Sequence, residues 1–300
     1  MRIAYLISAH TDPQQLLRLV EALGEEAHCF VHIDKKSSLE RFTSLIKGDR
    51  VHFLEERIDV RWGTINEWYY QRLLLEAAVS YPLHFDRLVT LSGLDYPLWS
   101  NRRIEAYFER HREEEQLAAM PLMETVHGKD IFRELRLYLT LPLIGSKGNQ
   151  RLSILVRKAA KALGYKRAYT FRVGGELWRE YKGAAWWAIS QELAEYVLDT
   201  YERYRKQILR QFRHQHCPAE TLLPTLALNS PRWKARCKLF PPETTLKEKT
   251  LLHHIQYAAA IKVWTLDDYD ELKASGKMFA RKLTTEASLP LIEVIDKDRA

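Results

Sequence analysis

Apolar positions in the first third of the chain follow two alternating periods. Ile3 to Ser8 is a short continuous apolar run with β-branched residues, and it predicts a strand. A polar turn, His10-Thr11-Asp12-Pro13, follows it. Leu16, Leu17, Leu19, Val20 and Leu23 then recur at helical spacing as far as Gly24. Cys29 to Ile33 predicts a second strand, which delivers Asp34-Lys35-Lys36 at its carboxyl end. Val51 to Leu54 predicts a third. Asn66 to Ala78 reads as a helix and Arg87 to Leu91 as a fourth strand, ending in Ser92-Gly93-Leu94-Asp95-Tyr96-Pro97.

Strands alternating with helices specify an α/β fold with a largely parallel central sheet and helices on both faces. Ligands of such sheets bind at the carboxyl ends of strands. The polar clusters at 10–13, 34–38 and 92–97 all fall there, the layout expected of a nucleotide site, although each alone would serve equally well as a turn. Farther along, Ala185 to Ser190 is strand-like, Gln191 to Tyr204 helical, and Pro218 to Leu228 a helix that Pro224 should bend or shorten. Thr265 to Ala274 predicts another short helix. No linker divides the chain. The expectation is one domain over 1–300 with a carboxyl-terminal extension, residues 1–125 forming the nucleotide-binding part and 173–285 the acceptor and catalytic part.

The segment 146–172 breaks this pattern, with eight Lys or Arg and no Asp or Glu. Leu152, Leu155, Ala159 and Leu163 share one helical face there, with Arg157, Lys158 and Lys161 on another. The spacing predicts a basic amphipathic or mobile segment, either a solvated surface helix or a membrane or acceptor contact.

Composition narrows the classes. The chain has 300 residues, 46% hydrophobic and 28% charged, enough to bury a substantial core. Its formal net charge of +7 favours anionic partners without choosing among them. Cys29, Cys217 and Cys237 are few and odd in number, so neither a disulfide framework nor a zinc site is indicated, and a reducing compartment fits best. His214 and His216, just before Cys217, match no standard ligand spacing, and no metal is expected. Met1-Arg2 leads straight into the first strand, leaving no room for a secretory leader. The expectation is a cytoplasmic protein, with peripheral contact at the inner membrane face open to it.

Several segments, in order, carry a resemblance. They are Ala4-Tyr5-Leu6-Ile7-Ser8-Ala9-His10, Val31-His32-Ile33-Asp34-Lys35-Lys36-Ser37, Val60-Arg61-Trp62-Gly63 and Leu91-Ser92-Gly93-Leu94-Asp95-Tyr96-Pro97. Gly183-Ala184-Ala185-Trp186-Trp187-Ala188-Ile189-Ser190, Pro218-Ala219-Glu220 and Phe279-Ala280-Arg281-Lys282 complete the set. Each is weakly specific, but the ordered series resembles the core-2/I-branching N-acetylglucosaminyltransferases and the related peptide xylosyltransferases. The resemblance implies a GT-A-like nucleotide-sugar-binding sandwich and inverting transfer from a UDP-sugar to a hydroxyl of a glycan or other acceptor. It implies no metal and no other cofactor. It makes Glu220 the catalytic base, with Lys282 and Arg281 on the donor diphosphate, Asp34 near the uridine and Asp95 beside the donor sugar. Trp62 then borders the donor pocket, and Trp186 and Trp187 edge the acceptor side. Family members usually carry an Arg where His253 stands here, and a His-Pro farther on is replaced near Lys262-Val263. His253, Lys262 or another basic residue must then supply the second phosphate contact.

The residues suit that chemistry. Inverting transfer needs a carboxylate to take the acceptor's proton and cations to offset charge on the departing diphosphate. Pro218 favours a helix start, which would put Glu220 in a first turn, where an acidic side chain also simply complements the helix dipole. His10, after the first strand, would meet the nucleotide or stabilise its turn. Asp268-Tyr269-Asp270 matches Asp-x-Asp formally, but in an acidic run near the carboxyl end, and reads as chance. The rival class is a non-catalytic basic module for nucleic acid or anionic membrane. It rests on charge alone and leaves the strand-end clusters unexplained.

Overall fold

The fold is seen in a computed structural model that describes residues 1–122, 146–164, 168–242, 244, 250–257 and 260–299. The four predicted strands form as β1 (Ile3–Ala9), β2 (His28–Ile33), β3 (Val51–Phe53) and β4 (Arg87–Ser92). They pair in parallel in the order β4-β1-β2-β3. The chain therefore moves outward from β1 in one direction, then returns to the other side of β1 for β4. This order reversal between β1 and β4 opens a crevice at the carboxyl ends of the strands. Register aligns those ends, since Ser8 lies opposite both His32 and Ser92.

Side-chain alternation explains why the runs are mostly apolar. Ala4 and Leu6 of β1 join one buried cluster with Phe30, Trp68, Leu74 and Leu193. Ile3, Tyr5 and Ile7 join another with Val31, Leu16, Leu19, Ile104 and Phe108. Both faces of the sheet are covered, so most positions in these strands are apolar, and the polar residues among them, such as Arg87 and Thr90 of β4, are buried against partners of their own. The helices concerned are Pro13–Ala22, Asn66–Val79, Asn101–Arg110 and Gln191–Arg203, the first capped by the Asp12 carboxylate accepting from the Gln15 N–H at 3.1 Å.

Two smaller sheets flank the crevice. The short strand β5 (Asp95–Pro97) follows β4, and β6 is Ala118–Pro121. Later come a hairpin, β7 (Thr170–Val173) and β8 (Glu176–Arg179), then β9 (Tyr181–Gly183) and β10 (Ala188–Ile189). The last three are β11 (Lys238–Leu239), β12 (His253–Ile255) and β13 (Phe279–Arg281). β6 lies between β11 and β9, and β13 between β12 and β5, while β10 adds antiparallel to the edge strand β4.

Three expectations change. The strand-like run 185–190 pairs only over Ala188–Ile189; before it the Thr90 hydroxyl lies 3.1 Å from both the Ala185 and Trp187 carbonyls and accepts from the Trp187 N–H at 2.9 Å. The helix over 218–228 splits into a 3-10 turn, Pro218–Glu220, and an α-helix, Leu222–Leu228, at Thr221 with φ −120°. Pro224 falls in that helix's first turn, where its missing N–H costs nothing. In the basic segment a helix forms over Ser146–Ala162, but polar Asn149 and Ser153 are its buried residues. Leu155 and Leu163 are 63% and 86% exposed, so the leucine face is the solvent face. The Lys161 side chain and residues 165–167 lie outside the description.

Candidate functional site

The crevice holds a cavity of about 270 Å³. Its floor is the strand ends, with Ser8, Ala9 and His10 from β1 and its turn, His32 and Asp34 from β2, and Ser92 and Gly93 from β4. Gly93 permits the close approach: a Cβ there would stand 2.7 Å from that of Ala9. Trp62, Glu67, Tyr70, Trp186, Cys217, Glu220 and Arg281 complete the wall. Residues distant in sequence thus converge where the fold's topology demands a ligand.

On the floor, Asp34 is buried and receives the Lys36 ammonium on both oxygens, at 3.0 and 2.9 Å. Lys36 also reaches Asp59 at 2.7 Å. Loss of water around the His10 imidazole holds it below its ordinary pKa, with Arg281 and Lys282 adding to the effect and Asp34 opposing it. His10 is therefore a neutral hydrogen-bonding ring close to two cations.

Asp95 is placed differently from the expectation. It is completely buried and does not line the cavity. Its oxygens accept from the Ser92 N–H and hydroxyl, at 2.7 and 2.8 Å, and from Arg281 Nη1 at 3.0 Å. His253 Nε2 lies 3.2 Å away. Burial alone would raise the Asp95 pKa, but Arg281 and the hydrogen bonds from His253 and Ser92 hold it below the ordinary value. β13 creates the pair by running antiparallel to β5 with Arg281 opposite Asp95. Asp95 is thus an anchor for the arginine rather than a free carboxylate for a sugar.

Arg281 lines the cavity, and its guanidinium lies 5.4 Å over the Trp186 ring. Its Nε is buried with no partner among the described residues. Lys282 makes no ion pair among the described residues and stands near enough to lower His10. Neither suggested substitute for the absent arginine reaches the cavity. His253 is buried behind Asp95, and Lys262 is bound to Asp268 at 2.6 Å. Asp268 in turn closes a capping box with Thr265, so the Asp-x-Asp match is engaged in local structure.

On the other wall, Cys217 has φ 51°, and its N–H donates to the Gly63 carbonyl at 2.9 Å. That bond ties the 3-10 turn to the loop before helix Asn66–Val79. Glu220 ends the turn rather than opening an α-helix, and its Oε2 accepts from Lys182 Nζ at 2.5 Å. Glu67 accepts from the Gly63 N–H at 3.0 Å. Burial pushes its carboxyl up to about 7 against that hydrogen bond, with Glu220 raising it further and Lys182 lowering it. Trp62 is 69% exposed and packs edge-on to His216 at 5.0 Å. Trp187 is only 1% exposed and belongs to the core, so of the two tryptophans only Trp186 edges the cavity. Lys182 and Glu67 are absent from the residues predicted by sequence. No local motif marks either, because each acquires meaning only from a partner far along the chain.

The sequence profile described as "Branch: Core-2/I-Branching enzyme" matches residues 3–240. The chain belongs to the core-2/I-branching enzyme family. Rat xylosyltransferase 2 (Rattus norvegicus) is 26% identical over 238 residues, covering 77% of this chain and 25% of that protein. Human xylosyltransferase 1 (Homo sapiens) is 25% identical over 241 residues, again 77% of this chain and 22% of its own length. The chain therefore spans about a quarter of the length of the curated relatives it matches. Mouse xyloside xylosyltransferase 1 aligns over 96% of this chain and 99% of its own, at TM-score 0.37 and 10% identity, too distant a likeness to bear on function. Within this family member, Arg281 and Lys282 lie beyond the profile's last matched residue.

Proposed function

We propose that this protein is an inverting, metal-independent glycosyltransferase of GT-A-like architecture, taking xylose or N-acetylglucosamine from a UDP-sugar to a hydroxyl acceptor, a glycan or protein. The observation that carries the reading is the convergence of Glu220 and Arg281 on one cavity at the strand ends of a nucleotide-type sheet. Glu220 takes the acceptor hydroxyl's proton as its oxygen attacks the anomeric carbon from the face opposite the nucleotide. Arg281, held by Asp95, and Lys282, which makes no ion pair among the described residues, offset charge on the leaving diphosphate, the task a divalent ion performs in metal-dependent enzymes. His10 and Asp34 lie toward the nucleotide, while Trp186 and Trp62 offer ring faces to sugars.

UDP and UDP-sugars should raise the melting temperature with chelator present. No shift at millimolar nucleotide overturns the donor reading. Comparing UDP-xylose with UDP-N-acetylglucosamine then ranks the donors. Glu220→Gln should lower transfer by about 10²–10⁴-fold, the scale of general base catalysis, and leave UDP binding intact. Turnover near the wild-type rate would remove Glu220 from its role.

The helix Ser146–Ala162 supports a further reading, peripheral contact with an anionic membrane. Arg151, Lys158, Ile154 and Leu155 are all exposed on it. Such a face suits a lipid surface that is negative outside and apolar beneath. Cosedimentation with vesicles containing phosphatidylserine, lost with Leu155→Asp, tests it; equal recovery with neutral vesicles counts against it.

A further inference from the structure

Glu220 does not stand alone in the wall. Lys182 meets it at 2.5 Å, with side chains 17% and 19% exposed, and Glu67 lines the same cavity. The three come from separate rigid pieces. Lys182 is the middle residue of β9, paired with Met120 of β6. The next residue, Gly183, packs so tightly that a Cβ would stand 2.5 Å from the Ala118 carbonyl oxygen. Glu67 is in the first turn of helix Asn66–Val79, fixed by the Gly63 N–H. Glu220 is fixed by its own N–H donating to the Cys217 carbonyl at 3.1 Å.

We propose that Lys182 is a positioning residue for Glu220: its ammonium holds one carboxylate oxygen, leaves the other for the acceptor hydroxyl, and offsets the negative charge that Glu220 and Glu67 bring to one wall. This rests on the assignment of Glu220 as base. Oε2 takes the lysine, and Oε1 makes no hydrogen bond to the described residues. Two carboxylates in one wall disfavour each other's charge, and a cation shared by them relieves this. The raised Glu67 carboxyl, which Lys182 lowers and Glu220 raises, fits that arrangement. The other groups facing the pair are His216 and Cys217 beside the turn, Tyr70 on the helix of Glu67, Tyr257, and Arg157 of the basic helix acting through His216. Burial holds His216 below its ordinary value and Cys217, Tyr70 and Tyr257 above theirs; the cations Arg157 and Arg281 act on these neighbours, while Lys182 is the cation in direct contact with Glu220.

The test compares Lys182→Met, Lys182→Arg, Glu67→Gln and Glu220→Gln in the full chain. With Lys182→Met the acid limb of kcat/KM should move up by about one pH unit, a tenfold loss below the limb that closes as pH rises. Lys182→Arg should restore the limb. Titration of [13Cδ]glutamate by NMR reads the same coupling without turnover: Glu220 should titrate higher in Lys182→Met, and Glu67→Gln should remove the near-neutral step. Should Lys182→Met not fold, Lys182→Gln keeps a donor and removes the charge. An unmoved Glu220 titration in the folded charge-removing variant overturns the proposal. If Glu220→Gln still turns over, the base assignment falls, and the NMR shift alone decides whether Lys182 controls Glu220.

Discussion

Arg281 and Glu220 line the same cavity and each is held by an opposite charge, but the two pairs are built differently. Asp95 is completely buried, takes four hydrogen bonds from Ser92, His253 and Arg281, and meets Arg281 through the register of β5 on β13. Glu220 is partly exposed and its carboxylate meets one partner among the described residues, Lys182, across a strand and a turn. The first pair is part of the core and fixes where a cation stands. The second remains wet enough for a proton and an acceptor to reach it. A displaced leaving group needs an immobile charge, whereas a base needs an oxygen that can change partners.

Removing the buried anchor should have the largest effect. Asp95→Ala leaves the Arg281 guanidinium, 16% exposed, without its counter-charge and buried His253 without its partner, so urea unfolding should show a loss of about 3–5 kcal/mol. Lys182→Ala should cost only ~1 kcal/mol, since water reaches both partners; equal losses would erase the contrast.

The tryptophans sharpen the same division. Trp187→Ala should lower unfolding stability by about 3–5 kcal/mol through the cavity it leaves. Trp186→Ala should cost less and instead weaken nucleotide-sugar binding, read by titration calorimetry.

Acid should act on the buried side. Asp95 and His253 both have folded-state pKa values below their ordinary ones. Each therefore adds stability above its unfolded pKa and loses it as pH falls through the folded value. Wild-type stability should decline as pH drops below about 6.5 for the histidine and about 3.9 for the carboxylate. Asp95→Asn should flatten the lower part of that curve, checked by urea melts across pH.

The smallest stability effect belongs to Trp62, 69% exposed at the cavity's edge. Trp62→Ala should change stability by no more than ~0.5 kcal/mol while altering substrate affinity.

The central sheet was legible because β1, β2 and β4 are covered on both faces and so carry short, mostly apolar runs. The strand-end clusters at His10, Asp34 and Ser92 were legible because topology places loops there whatever their residues. Asp95 was misread, since a carboxylate after a strand looks the same whether it faces a ligand or an arginine from residue 281. Trp186 and Trp187 are adjacent and chemically equal, yet one side chain turns to the cavity and the other to the core. The periodicity of 146–162 marked a leucine face, and periodicity reports a face and not the side it turns to the protein. Lys182 carried no signal, as its partner lies in another element that is brought near only by folding.

The pairing of β13 with β5 has a consequence for how the molecule is made. Synthesis proceeds from the amino terminus, so the central parallel strands and β5 leave the ribosome long before Phe279–Arg281. Until then Asp95 has no guanidinium beside it, and β5 keeps an open edge. A nascent chain thus assembles its sheet early, and Asp95 gains its guanidinium partner only once the residue 186 positions farther on has been made.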